Sequence, residues 1–155
     1  MAKGSSKFGK YKERKVREAL RNPINVLKSL GEKSQEKTYK YQRLYRNLYN
    51  PEFYLLAYQN IYANKGSMTP GVDGMTIDGI SMARINRIIE SMRNQSYQPK
   101  PARREYIKKK TGNKKRPLGI SSADDKLVQE VVRMILEIIY DGSFSTKSHG
   151  LRQNR

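Results

Sequence analysis

Three stretches of the chain space their apolar residues for amphipathic helices. In the first, Leu55, Leu56 and Ile61 accompany Tyr54, Tyr58 and Tyr62, and Asn50-Pro51 supplies an N-cap followed by proline at the first helical position, which predicts a helix over about 51–64. In the second, Ile85, Ile88, Ile89 and Met92 share one face, Ser81 is placed to cap it, and the pattern runs to about Gln95. The third is the strongest: Val128, Val131, Val132, Ile135, Leu136 and Ile139 predict a helix over about 123–140. Its start is marked by Ser122 with Asp125 three residues on, and Asp124 also suits the positive end of the helix dipole. Upstream, Tyr41, Tyr45 and Tyr49 at i, i+4 spacing make 37–50 read as helical, and residues 11–30 read as a basic helix interrupted near Pro23. Tyrosines at this spacing are read as packing ahead of base-stacking, and some of these rings can serve both, with the ring packed and the hydroxyl exposed.

Between the second and third helices the period changes. Residues 102–108 and 115–120 read as short strands, and a Gly-Asn turn within 109–114 joins them into a basic hairpin whose second strand Pro117 marks as an edge. Residues 64–79, NKGSMTPGVDGMTIDG, are rich in turn formers and predict a loop. Asp73 and Asp78 are read there as turn-stabilising carboxylates, because the spacing of a calcium loop is absent. The fold class expected is α+β, a helical N-terminal region packed on a small antiparallel β-hairpin. The expected organisation is a basic, flexible extension over 1–38, a helical block over 39–98 holding the Gly-rich loop 64–79, and a unit over 99–155 comprising hairpin, amphipathic helix and an aperiodic tail.

Charge changes this picture. The 155 residues carry 32 Lys+Arg against 14 Asp+Glu, a formal net of +18. The excess is localised: residues 1–50 hold 14 basic and 4 acidic side chains, and 99–117 hold 9 basic and 1 acidic, while 51–98 and 118–155 are each balanced. So many like charges in nineteen residues repel one another unless an anion lies near, which points to nucleic acid. The absence of cysteine excludes disulfides and thiolate chemistry, and the lone His149 leaves no imidazole cluster for a metal. No apolar run is long enough to span a bilayer and the N-terminus lacks a signal-peptide core, which gives the expectation of a soluble, cytoplasmic protein with no membrane partner.

The run RREYIKKKTGNKKRPLGISSADDKLVQEVVRMILEIIYDGSFSTKSHGLRQNR (103–155) resembles the fingers region of group II intron-encoded reverse transcriptases and maturases. The likeness passes through the hairpin with its RPLGI strand, the DKLVQEVVRMILE helix and the SHG-x-R tail. Upstream, YLLAYQNIYANKGSMTPGVDG (54–74) is similar to the block of the same family that precedes the fingers, and the resemblance covers roughly residues 40–155. The chain departs from the family pattern at Lys108, Ser121 and Ile138, where proline is usual, and in the tail at Leu151, Gln153 and Asn154.

The resemblance implies RNA-directed DNA synthesis and assistance to intron splicing as the parent activity. It implies that Arg116 and Lys109 contact the triphosphate of an incoming deoxynucleotide. Arg103 and Arg104 are implied to approach the template, and Gly71, Asp73 and Gly74 belong to a loop near the template and the substrate 3′ end. Lys108, Lys110, Lys114 and Lys115 are expected to form a solvated rim or to touch the nucleic-acid backbone. Independently of any family, arginine and lysine on a rigid hairpin suit phosphate recognition.

No catalytic or metal-ligating residue is expected within the chain, because the Tyr-x-Asp-Asp strand of the family's palm does not occur in it and Asp124-Asp125 sit at a helix start. Mg²⁺ is accordingly expected only with a palm present, and deoxynucleotide triphosphate only in a complete enzyme. The expectation is an RNA-binding fingers fragment, inactive alone, whose partners are intron or template RNA and, through an uncovered helix face, a palm-containing chain or a second copy. Completion of a split polymerase in trans and a basic RNA-binding accessory role stand as alternatives.

Overall fold

The computed structural model describes residues 22–64, 66–109, 114–145 and 147–148. Most of the basic extension, the hairpin turn with Lys110, and the tail with His149, Leu151, Gln153 and Asn154 lie outside the described residues. The elements are α1 (Pro23–Ser34), a 3₁₀ segment (Leu44–Tyr49), α2 (Pro51–Tyr62), a short 3₁₀ turn (Ile77–Gly79), α3 (Met82–Arg93), β1 (Arg103–Lys108), β2 (Lys115–Ile120), α4 (Ala123–Tyr140) and a closing 3₁₀ turn (Asp141–Ser143). The fold is α+β. Its strands form a two-stranded antiparallel sheet. No helix among the described residues is long and apolar enough to cross a membrane.

The chain divides into two compact units, one of residues 43–133 and one of residues 1–42 with 134–155. In the 43–133 unit, Phe53, Tyr54, Ala57, Ile77, Leu127 and Val131 are fully buried beside Ile85, Ile88, Ile89 and Met92 of α3. The Tyr54 hydroxyl donates to the Leu48 carbonyl at 2.9 Å, and burial pushes its pKa up. Tyr45 reaches the Met92 carbonyl at 3.3 Å, and Arg93 lies over the Tyr49 ring at 5.8 Å. In the other unit, Tyr41 donates to the Leu30 carbonyl at 3.0 Å, Lys33 sits over Tyr39 at 5.1 Å, and Gly31 faces the Ile138 side chain.

The helix starts follow their caps. Asn50 accepts from the Glu52 amide at 3.1 Å, Ser81 from the Arg84 amide at 3.3 Å, and Ser122 from the Asp125 amide at 3.2 Å. Ser122 in turn donates to the Asp125 carboxylate at 2.7 Å, so the pair works as a capping box with aspartate in the glutamate position.

Residues 11–21 of the expected basic helix lie outside the described residues; from Pro23 a helix runs to Ser34, started by Asn22, which accepts from the Ile24 amide at 2.9 Å, the same Asn-Pro device as at Asn50-Pro51. Two expectations need correction. The segment 37–50 is not one helix, because Arg43 takes a left-handed conformation (φ 59°) and only Leu44–Tyr49 winds, as 3₁₀. The buried stripe of α4 is rotated from the predicted one. Leu127, Val131, Met134, Ile135 and Ile139 are buried, Val128 and Val132 are half-buried, and Leu136 is exposed.

Candidate nucleic-acid interface

The hairpin pairs Arg103 with Ile120, Arg104 with Gly119, Glu105 with Leu118, Tyr106 with Pro117, Ile107 with Arg116 and Lys108 with Lys115. The Lys109 amide continues the ladder to the Lys114 carbonyl at 3.1 Å. Side chains alternate along a strand and cross-strand partners share a face, so this register sorts the cations. One face carries Arg103, Glu105, Ile107, Lys109, Lys114 and Arg116. The opposite face carries Arg104, Tyr106, Lys108, Lys115 and Pro117. Lys109 and Arg116, the pair implied to meet a triphosphate, therefore lie on the same side of the hairpin, and Lys115 lies on the other. Arg104, Lys108, Lys109, Lys114, Lys115 and Arg116 are all exposed, and none pairs with an acid among the described residues.

Arg103 differs from its neighbours. Half-buried, it donates from Nε to the Pro70 carbonyl at 3.1 Å and pairs with Glu105 at 2.9 Å. It ties the hairpin to the 66–79 loop. Two lysines that the sequence did not single out hold the same loop. Lys126 donates to the Ser67 and Thr69 carbonyls at 3.2 and 2.8 Å, and burial pushes its pKa down. Lys100 pairs with Asp73 at 2.7 Å, and this hydrogen bond holds the Asp73 carboxyl below the usual carboxylate range. Asp73 also accepts from the Met75 amide at 3.1 Å, the turn-stabilising role expected of it. Gly74 has φ +71° with open space around it, whereas Gly71 is buried against the backbone of Ser121 and Ser122. In the structure, Gly71, Asp73, Gly74 and Arg103 build and fasten the loop.

The adjacent aspartates are engaged too. Asp124 pairs at 2.5 Å with Arg84, whose side chain is only 9% exposed. Asp125 is buried and accepts from Ser122, from the Lys100 amide at 3.0 Å and from the Tyr97 hydroxyl, whose pKa burial raises further. Carboxylates already taken up in this way do not fit a divalent ion, and no three His, Cys, Asp or Glu residues gather as a metal group among the described residues. Arg84, Arg87 and Lys100 line a hollow of about 560 Å³ beside Tyr97 and Asp124. Of these cations, Arg84 pairs with Asp124 and Lys100 with Asp73. The six exposed cations of the hairpin have no such acidic partner among the described residues.

Against proteins of known name, the chain is 47% identical over 137 residues to the group II intron-encoded protein LtrA of Lactococcus lactis subsp. cremoris, a match covering 88% of this chain and 23% of that protein. It is 41% identical over 140 residues to an uncharacterized 91 kDa protein in the cob intron of Schizosaccharomyces pombe, covering 87% of this chain and 17% of that protein. The chain is homologous to group II intron-encoded proteins. The chain is also 40% identical over 118 residues to protein YkfC of Escherichia coli, a match covering 74% of this chain and 30% of that protein. The chain thus spans under a third of the length of each of these relatives. No family model matches it.

Proposed function

We propose that this chain is an RNA-binding fingers region of a group II intron-type RNA-directed DNA polymerase and maturase, catalytically incomplete by itself. The observation that carries the reading is the hairpin's set of six exposed cations without acidic partners among the described residues. The similarity to a group II intron-encoded protein supports RNA as the polyanion for this surface. Within the reading, Arg116 and Lys109 face the nucleotide triphosphate, and Arg104, Lys108 and Lys115 face the RNA backbone. Phosphodiester chemistry needs a metal-holding palm supplied by further polypeptide, and the chain's own contribution is to hold and orient phosphates.

Salt dependence of RNA binding tests this. Six phosphate contacts on a single strand give a log–log slope of about −4, or roughly a 300-fold loss of affinity between 50 and 200 mM salt. Fluorescence anisotropy of a labelled single-stranded RNA against the full chain reads that slope. A slope shallower than about −1 overturns the proposal.

A further inference from the structure

The two faces of the hairpin are chemically different. Arg116, Lys109 and Lys114 share theirs with Ile107, Leu118 and the Arg103–Glu105 pair. The other face has no acid at all. There Tyr106, 58% exposed, lies between Arg104 and Lys108 on its own strand, opposite Pro117 and diagonal to Lys115, two residues from Pro117. Arg104 and Lys108 each stand two residues from Tyr106, roughly 7 Å along the strand. The Tyr106 hydroxyl makes no hydrogen bond among the described residues and its ring makes no aromatic pair. Ile107 and Leu118, the large apolar neighbours on the strands, belong to the opposite face.

A flat ring held in water between cations suits one ligand. A nucleobase stacks on the ring while phosphates on either side meet the flanking charges, the combination that proteins use for single strands. A duplex keeps its bases stacked on one another and offers the ring nothing but backbone. The geometry points to Tyr106 as a stacking platform for one unpaired base of single-stranded RNA, held by Arg104, Lys108 and Lys115 and separate from the face that carries Arg116. This rests on the RNA-binding reading above and deepens it by naming an unpaired strand and the residue that grips its base.

The chain contains no tryptophan, so Tyr106→Trp installs a single reporter. Two probes of equal length are used with the full chain: an oligo-uridine RNA and the corresponding abasic sugar–phosphate oligomer. Expected are quenching of the reporter by the RNA but not by the abasic oligomer, and a Tyr106→Ala variant that binds the RNA roughly 5- to 150-fold more weakly with unchanged affinity for the abasic probe. Tyr106→Phe, which keeps the ring, retains wild-type affinity. Circular dichroism checks that each variant is folded. Equal affinity of Tyr106→Ala and wild type for the RNA, equal weakening toward both probes, or an unquenched reporter on bound RNA overturns the platform while leaving RNA binding intact. If the wild-type chain binds neither probe, the RNA-binding reading falls and the platform with it.

Discussion

Replacing Gly71 by alanine places a methyl where the chain has no room. An ideal Cβ there lies 2.6 Å from the Ser122 Cα, 3.0 Å from its nitrogen and 3.1 Å from the Ser121 carbonyl oxygen. Favourable carbon–carbon separation is about 3.5–4.0 Å, so the shortfall is close to 1 Å, and every obstacle is backbone. That backbone is pinned. Ser122 caps α4, and its partner Asp125 also receives the Lys100 amide and the Tyr97 hydroxyl, so a shift at Ser122 strains several bonds together. Overpacking of this kind typically costs about 1–3 kcal/mol, and a backbone obstacle puts Gly71→Ala at the upper end. At about 2–4 °C per kcal/mol for a chain of this size, the melting temperature falls by roughly 6–12 °C. Two glycines of the same loop calibrate the reasoning. Gly74→Ala meets nothing within 4 Å but must hold φ +71°, a strain of about 1–2 kcal/mol. Gly79→Ala meets only the Met75 Cε at 3.8 Å and is close to neutral. Thermal unfolding of the three variants, followed by circular dichroism, should rank Gly71 as the most destabilised and Gly79 as the least. Gly71→Ala melting no lower than Gly79→Ala would refute the packing account of this loop.

Two further outcomes are expected. The folded Asp73 carboxyl titrates below its ordinary value of about 3.9, so the Lys100–Asp73 pair stabilises the fold above that pH and is lost as pH falls through the lowered value; Asp73→Asn should be the less stable protein at pH 7, and urea midpoints from pH 6 to 2 should show its deficit vanishing in acid, whereas a pH-independent deficit contradicts the assignment. With the chain joined to a matching palm and thumb, Arg116→Ala should raise the nucleotide concentration needed for primer extension while template affinity stays near wild type, and Lys115→Ala should leave nucleotide use unchanged; equal effects of the two on nucleotide use would count against the division by faces.

What could be read from the sequence was the chemistry that acts over three or four residues. Asn50, Ser81 and Ser122 announce their helices because a cap needs only its own side chain and an amide two or three positions on. Asn22-Pro23 carries the same signal, and the basic, helix-like pattern upstream obscured it. The tyrosine spacing of 37–50 misled because those rings are fixed by partners far along the chain: Tyr41 at Leu30 and Tyr45 at Met92. Their i, i+4 periodicity records no continuous helix. The strands were legible from the change of period, and once the ends are known, antiparallel register settles which cations share a face. The loop fastenings were not legible. Lys100, Arg103 and Lys126 reach Asp73, Pro70 and Thr69 across 27, 33 and 57 residues, and in the sequence they are three more positive charges.

That distinction alters what the net charge means. The 99–117 block holds nine basic residues, but Lys100 and Arg103 are engaged inside the protein, and Arg84, Lys126 and Arg133 elsewhere are likewise held by carboxylates or carbonyls. Glu130 illustrates the tightness of these internal pairs: burial opposes its ionisation, yet hydrogen bonds from Arg133 and Asn60 hold its carboxyl below the usual range. The hairpin cations are in the reverse situation. Lys108 stands directly across from Lys115, and Lys109 follows opposite Lys114, two like-charge cross-strand pairs in a two-stranded sheet. Each such pair destabilises the hairpin by some tenths of a kcal/mol when free. A phosphate between the members of a pair reverses the sign of that term, so anion binding and hairpin order reinforce each other. Local conflict of this kind stands beside caps and loop fastenings that are internally satisfied, and the RNA-binding role proposed above would account for it within a fold otherwise consistent with its own sequence.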